Sequence, residues 1–146
     1  MPKKIWDLMN AYLTGELPPP PVARLIGFRL TSLEPGRVIV ELEANETHSN
    51  PMGTLHGGIL CDIADAAMGM ACASLLKENE SFTTLELKIN FLKPVWNAKL
   101  TAVGKIIKQG QTISMVECDI TDEKNSLVAK ATATQMILKG EKAKGR

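Results

Sequence analysis

Two kinds of chemistry-bearing residue meet in one short stretch of this sequence. His56, Gly57 and Gly58 lead directly into Ile59 to Leu76, a run in which only Asp62, Asp65 and Ser74 are clearly polar. A helix that is apolar all round is a buried helix, so the run is expected to lie inside the protein. At about 18 residues, with two acids, it is too short and too charged to span a bilayer. Glycines at its start leave the backbone open to close approach. A helix N-terminus also presents free N–H groups and the positive end of the helix dipole. Such donors suit a carbonyl oxygen that gains negative charge during a reaction. Asp65 falls two turns deeper, where a buried carboxylate would need a partner. Asp62, nearer the positive end, is read as structural because the dipole alone would stabilise it.

Spacing constrains how these groups can cooperate. Gly57 and Asp65 are eight residues apart, about 12 Å along a helix. A general base and an oxyanion donor must each come within ~3 Å of their reacting atoms. One helix does not easily bring both to one substrate, whereas two antiparallel copies do. A twofold dimer would then carry two equivalent sites.

The remaining chain supplies elements to hold that helix. Ile5, Leu8, Met9, Tyr12 and Leu13 recur at helical spacing, which predicts an amphipathic helix over 3–14, ended by Gly15. Pro18 to Pro21 form a stiff spacer, and Val22 to Ile26 a short helical turn closed by Gly27. Strands are expected over 28–33 and 37–43, joined through Glu34-Pro35-Gly36. After a loop over 44–55 and the long helix, strands follow over 83–93, 100–108, 112–121 and 127–138. In the first of these four, Leu85, Leu87, Ile89 and Phe91 alternate with Glu86 and Lys88, so the leucines are expected on the core face. The order implies an α+β fold, an antiparallel β-sheet wrapped around one long central helix. Residues 140–146 are charged and expected to fray.

Composition narrows the partners. The chain has 146 residues, one-domain length, and a formal charge of +1 with no long basic stripe, which argues against nucleic acid and anionic membrane. Cys61, Cys72 and Cys118 show no metal-type spacing, and an odd cysteine count fits a reducing compartment. Asp7 and Asn10 interrupt any signal-peptide core, so a cytoplasmic location is expected. With only His48 near His56, no metal site is expected.

Three segments carry a family resemblance. His56-Gly57-Gly58, Ile63-Ala64-Asp65-Ala66-Ala67 and Asn90-Phe91-Leu92-Lys93-Pro94 resemble the hotdog-fold acyl-CoA thioesterases of the phenylacetate-pathway type. The resemblance implies a hotdog domain over 22–138, preceded by a helix and proline-rich spacer over 1–21 and followed by a charged tail over 139–146. It implies hydrolysis of an acyl-CoA to a carboxylic acid and coenzyme A, with no cofactor, in a homodimer or a tetramer built as a dimer of dimers. Asp65 of one subunit would act as base or nucleophile, and the Gly57 amide of the other would polarise the thioester carbonyl. His56 would order the oxyanion region, Asn50 would contact the thioester or water, and Gly58 would contact substrate.

A hydroxyl on the strand after the helix assists the acid in some relatives. Counting back from Pro94 selects Thr84, while Thr83 is in phase with Leu85 and Leu87; a β-bulge would decide between them. Lys108, Gly110 and Gln111 read locally as a hairpin turn, and by resemblance as a contact for the nucleotide end of coenzyme A. Met52, Met68 and Met70 could line an acyl pocket or fill the core. Two other readings stand beside hydrolysis: a hydratase or dehydratase of acyl thioesters, and a non-catalytic acyl-CoA binder. With so few residues preceding Phe28, no added DNA-binding domain is expected. The acyl group itself is left open.

Overall fold

The computed structural model describes residues 5–146, so Lys3 and Lys4 of the predicted first helix lie outside the described residues. Helix α1 runs Ile5–Thr14 and α2 runs Pro21–Ile26. Proline at the first position of α2 fits, because the N–H it lacks would have no helical partner there. Gly27 closes α2 in the left-handed region at φ 99°, its N–H donating to the Ala23 carbonyl. Strands β1 (Arg29–Glu34) and β2 (Arg37–Ala44) form the first hairpin. A 3₁₀ turn over Glu46–His48 precedes α3, Gly57–Ala73. Strands β3 (Glu80–Phe91), β4 (Ala98–Gln109), β5 (Ile113–Thr121) and β6 (Leu127–Lys139) complete the chain, and the tail makes a 3₁₀ turn over Gly140–Ala143.

The six strands form one antiparallel sheet in the order β1-β2-β4-β5-β6-β3. Alternation along each strand decides which face meets α3. Val38, Val40 and Leu42 on β2, Leu100 and Ala102 on β4, and Val116, Cys118 and Ile120 on β5 are at most 1% exposed. They close on Ile63, Ala64, Ala67, Met68, Ala71 and Cys72 of α3, all fully buried. Register shifts leave Thr31, Leu85 and Ile107 without a partner in the ladder. Each extra residue increases the local twist and bends its strand, as wrapping a sheet around a helix requires.

Two expectations need correction. Helix α3 is not buried all round within one chain: Asp62 and Asp65 are exposed, and Ala66 and Met70 are half-buried. Its run of alanine, glycine and methionine is nearly as apolar on the open face as on the packed one, which hid the asymmetry. Leu85, expected on the core face, is 53% exposed because it is the bulged residue of β3. Leu87 and Ile89, beyond the bulge, do pack against the core.

The closest approach of helix and sheet is backbone to backbone. A Cβ placed on Gly104 of β4 would collide with the carbonyl of Ala67 in α3 and lie 2.9 Å from the Met68 nitrogen. A strand glycine of this kind marks a place where another backbone comes close. Gly104→Ala should destabilise the fold by ~1–3 kcal/mol, since neither backbone can turn aside as a side chain could. Urea unfolding checks this; a change within about 0.5 kcal/mol would mean that helix and sheet separate freely.

Candidate active site

The start of α3 is set by a loop that is hydrogen-bonded throughout. Asn45 caps the 3₁₀ turn, accepting from the Thr47 N–H at 2.9 Å, and its own N–H donates to His48 Nδ1 at 3.1 Å. Since Nδ1 accepts, the proton of His48 is on Nε2, which donates to the Ile26 carbonyl at 2.6 Å. The His48 carbonyl in turn accepts from the His56 N–H at 2.9 Å, and the Leu55 N–H donates to Val95 at 2.8 Å. His56 is thereby held as the N-cap of α3, and its Nδ1 accepts from the Gly58 N–H at 2.8 Å. The Gly57 N–H makes no hydrogen bond among the described residues. One donor of the glycine pair is therefore engaged and the other is available. The Phe91 ring closes against Gly57: a Cβ there would stand 2.9 Å from its Cζ.

Asp65 lies two turns along on the open face of α3. Its Oδ1 accepts from the Thr84 hydroxyl at 3.1 Å. The bulge at Leu85 explains why Thr84 makes this contact. Thr84 pairs with Gln135 and, past the bulge, Leu87 pairs with Ala133. Gln135 and Ala133 are both buried facing α3, so Thr84 shares their face and Thr83 points to the opposite one. Asp62 has no hydrogen bond or ion pair among the described residues. Partial desolvation, and after it the negative charge of Asp65, raises its carboxyl above the ordinary carboxylate value.

The Asp65–Thr84 pair opens on a pocket of about 310 Å³. Ala66, Gly69, Met70 and Phe82 form its near side, while Met9 and Tyr12 of α1 and Pro19 and Pro20 face them. Of the three methionines considered for such a pocket, Met70 lines it. Met68 is fully buried in the core, and Met52 is 84% exposed in the loop. Beside Thr84, the wholly buried carboxamide of Gln135 has no hydrogen-bond partner among the described residues.

Other expected site residues fall elsewhere. Asn50 is tied into its own turn: Nδ2 donates to Thr54 Oγ1 at 2.7 Å and Oδ1 accepts from the Met52 N–H at 3.0 Å. Lys108, Gly110 and Gln111 lie at the far end of α3 from Gly57, where Gln109 Nε2 reaches Cys72 Sγ at 3.9 Å. Gly110 closes this hairpin by donating to the Ile113 carbonyl at 2.8 Å. All three cysteines are free, and burial, then the charge of Asp119, pushes the Cys118 thiol up to about 12. Among the described residues no three histidines, cysteines or acids gather as a metal-ligand set.

A donor at a glycine-rich helix start and an acid–hydroxyl pair beside a pocket are groups that could serve acyl transfer, and comparison with known proteins gives the family of the chain. Residues 52–129 match the model of the thioesterase superfamily. The chain belongs to the thioesterase superfamily. It is 31% identical to the 1,4-dihydroxy-2-naphthoyl-CoA hydrolase of Listeria monocytogenes over 117 residues, 80% of this chain and 95% of that one. It is 27% identical to human acyl-coenzyme A thioesterase 13 over 119 residues, 78% of this chain and 83% of the other. Among solved structures, a phenylacetic acid degradation-related protein of Ralstonia eutropha superposes with a TM-score of 0.79 at 28% identity, covering 88% of this chain and 98% of that one. The protein is a thioester hydrolase with the hotdog fold, as the resemblance implied.

Several parts of this candidate site leave no local signal in the sequence. His48 was passed over as a loop residue, although its hydrogen bonds fasten α2 to the start of α3. The ring of Phe91 over Gly57, and the wall supplied by α1, join residues too distant in sequence to be paired by spacing. Thr84→Val should lower thioester turnover roughly 10- to 100-fold, the loss of one hydrogen bond to a charged group. Thr84→Ser should retain most activity, and Thr83→Val should stay within about twofold of wild type. An equal loss in Thr83→Val and Thr84→Val, measured by thiol release, would remove the distinction drawn from the bulge.

Proposed function

We propose that the protein hydrolyses acyl-CoA thioesters by direct attack of water, in a site completed by two copies of the chain. The observation that carries this reading is the Asp65–Thr84 hydrogen bond on the open face of α3. The unengaged Gly57 N–H lies on the same helix about 12 Å away. The Thr84 hydroxyl occupies one carboxylate oxygen of Asp65 and fixes the plane of the group. The other oxygen takes a proton from water as the water oxygen bonds to the thioester carbonyl carbon. The Gly57 N–H of the other copy stabilises the oxyanion. Collapse of that intermediate breaks the C–S bond, and the proton passes from Asp65 to the leaving thiolate of coenzyme A.

Strand β3 supports the shared arrangement. It is an edge of the sheet, 12 residues long, and carries exposed Leu85 and Phe91. Long apolar edges are normally paired or covered. Two β3 strands running antiparallel about a twofold axis near Leu87 and Lys88 would set Phe91, with Gly57 against it, opposite Thr84 of the second copy. His56 then orders the donor, Gly58 lends it a fixed backbone, and Asn50 shapes the loop in front of it. Lys108 and Gln111, both exposed beside Gly110, supply a cation and an amide suited to the phosphates and adenine of coenzyme A. Free thiols suit a reducing compartment such as the cytoplasm.

Asp65→Asn should lower thiol release by 10²–10⁴-fold with fold and oligomer unchanged. Gly57→Val should also be inactive, since its side chain meets the Phe91 ring. Mixing the two variants, once each is shown to be folded and to exchange subunits, should restore about one quarter of wild-type activity. Half the dimers are then mixed, and each holds one intact site of two. No recovery would confine the site to one chain. Hydration of an enoyl thioester without thiol release would favour a hydratase, and tight acyl-CoA binding without either reaction a binding protein.

A further inference from the structure

The pocket beside Asp65 and Thr84 is built from two parts of the chain with different status. Its near side, including Ala66, Gly69 and Phe82, lies within residues 52–129, the span shared with the thioesterase superfamily. Its opposite wall comes from α1 and the proline spacer, before that span. Catalytic parts and wall are thus separable in sequence while adjacent in space. We propose that α1 and the proline spacer set the upper size of the acyl group, so that the preferred substrates are thioesters of apolar acyl groups of medium length. The inference rests on reading Asp65 and Thr84 as the hydrolytic centre.

Several observations make this segment a wall and not a loose flap. Met9 and Ala11 are only 4% and 2% exposed although they point about 200° apart around the helix, so α1 is covered on two sides. Its end folds back on itself: the Gly15 N–H donates to Tyr12 and the Leu17 N–H to Ala11, at 3.3 and 3.0 Å. Consecutive prolines at 18–21 fix their own φ and restrict the residues before them. Beyond them, the 2.6 Å hydrogen bond from His48 to the Ile26 carbonyl pins the end of α2 to the loop that delivers His56. The wall is held at both ends, and the second anchor is shared with the oxyanion side.

Size and chemistry follow from the lining. At about 30 Å³ per non-hydrogen atom, the liquid volume of a water, 310 Å³ holds about ten such atoms. The facing residues Met9, Tyr12, Pro19 and Pro20 offer no charge, so an apolar chain is favoured over a charged one. Arg29, at the edge, has its guanidinium 3.9 Å from the Glu41 carboxylate. Each methylene that enters should raise kcat/KM by about fourfold until the chain meets the wall.

The test is a series of saturated acyl-CoA substrates from four to sixteen carbons. For the wild type, kcat/KM should climb to a maximum near eight to ten carbons and fall at least tenfold by sixteen. Tyr12→Ala should move the maximum up by two or more carbons. Val22→Phe, at a half-exposed lining position that tolerates a larger group, should move it down and carries the test if Tyr12→Ala does not fold. A wild type that takes sixteen carbons as well as eight, or variants that keep the wild-type profile, would overturn the proposal while leaving the hydrolase reading intact. The same series as non-hydrolysable thioethers, followed by calorimetry, separates the two claims. Length-dependent binding that shifts in Tyr12→Ala, with no thiol released from any thioester, would keep the wall and refute the hydrolase.

Discussion

The contact between Gly104 and Ala67 fixes how far α3 stands from the sheet, and much of the molecule follows from that distance. Two backbones that touch leave no room for side chains between them, so the helix face above β4 is made of Ala64, Ala67 and Ala71. Larger residues, among them Met68, Leu42 and Leu100, fill the rest of the same buried cluster. A helix seated this deeply turns its remaining face outward at a fixed height above the sheet. Asp65 is on that face, at the height where the Thr84 hydroxyl, coming from the sheet, reaches it.

The bulge at Leu85 makes the second adjustment. Before it, Phe82 and Thr84 face the helix; after it, Leu87 and Ile89 do. Without the extra residue, the phase that buries Leu87 and Ile89 would turn Thr83 toward the helix in place of Thr84. The cost is an apolar side chain displaced from the core onto an edge strand, where Leu85 stands more than half exposed. Placement of the Thr84 hydroxyl against Asp65 and exposure of an apolar edge are therefore one structural event. On the proposed reading, the second copy of the chain covers what the bulge exposes.

Much of this was legible in the sequence. Element order and the α+β class followed from spacing, because amphipathic and alternating periods record which side of an element meets the core. Where the period carried no contrast, the reading failed. Helix α3 is so rich in alanine, glycine and methionine that its open face could not be told from its packed one. The alternation of Leu85, Leu87 and Ile89 runs unbroken through the bulge, so it put Leu85 on the wrong face and left Thr83 and Thr84 undecided. Nothing local marks Gly104 within the strand expected over 100–108, since the carbonyl that requires a glycine lies in another element. The pocket wall at Met9 and Tyr12 was invisible for the same reason: it depends on where α1 docks, and local pattern does not encode docking.

The two halves of the proposed site are held by different means, and this bears on how it works. Asp65 and Thr84 rest on the sheet and a helix whose inner face is fully buried, so their geometry is as rigid as the core. Gly57 instead depends on a chain of local hydrogen bonds, from Asn45 through His48 to His56, with the Phe91 ring packed against it. Nothing in α3 offers a means of closing the distance between them within one copy. It runs unbroken from Gly57 to Ala73 with no proline to kink it, and Gly69 lies beyond Asp65, not between the two groups. A straight helix holds donor and acid apart as firmly as it holds each in place. The same rigidity that would make a single-chain site unworkable makes a site shared between two antiparallel copies well defined, because one rigid helix then contributes an end to each.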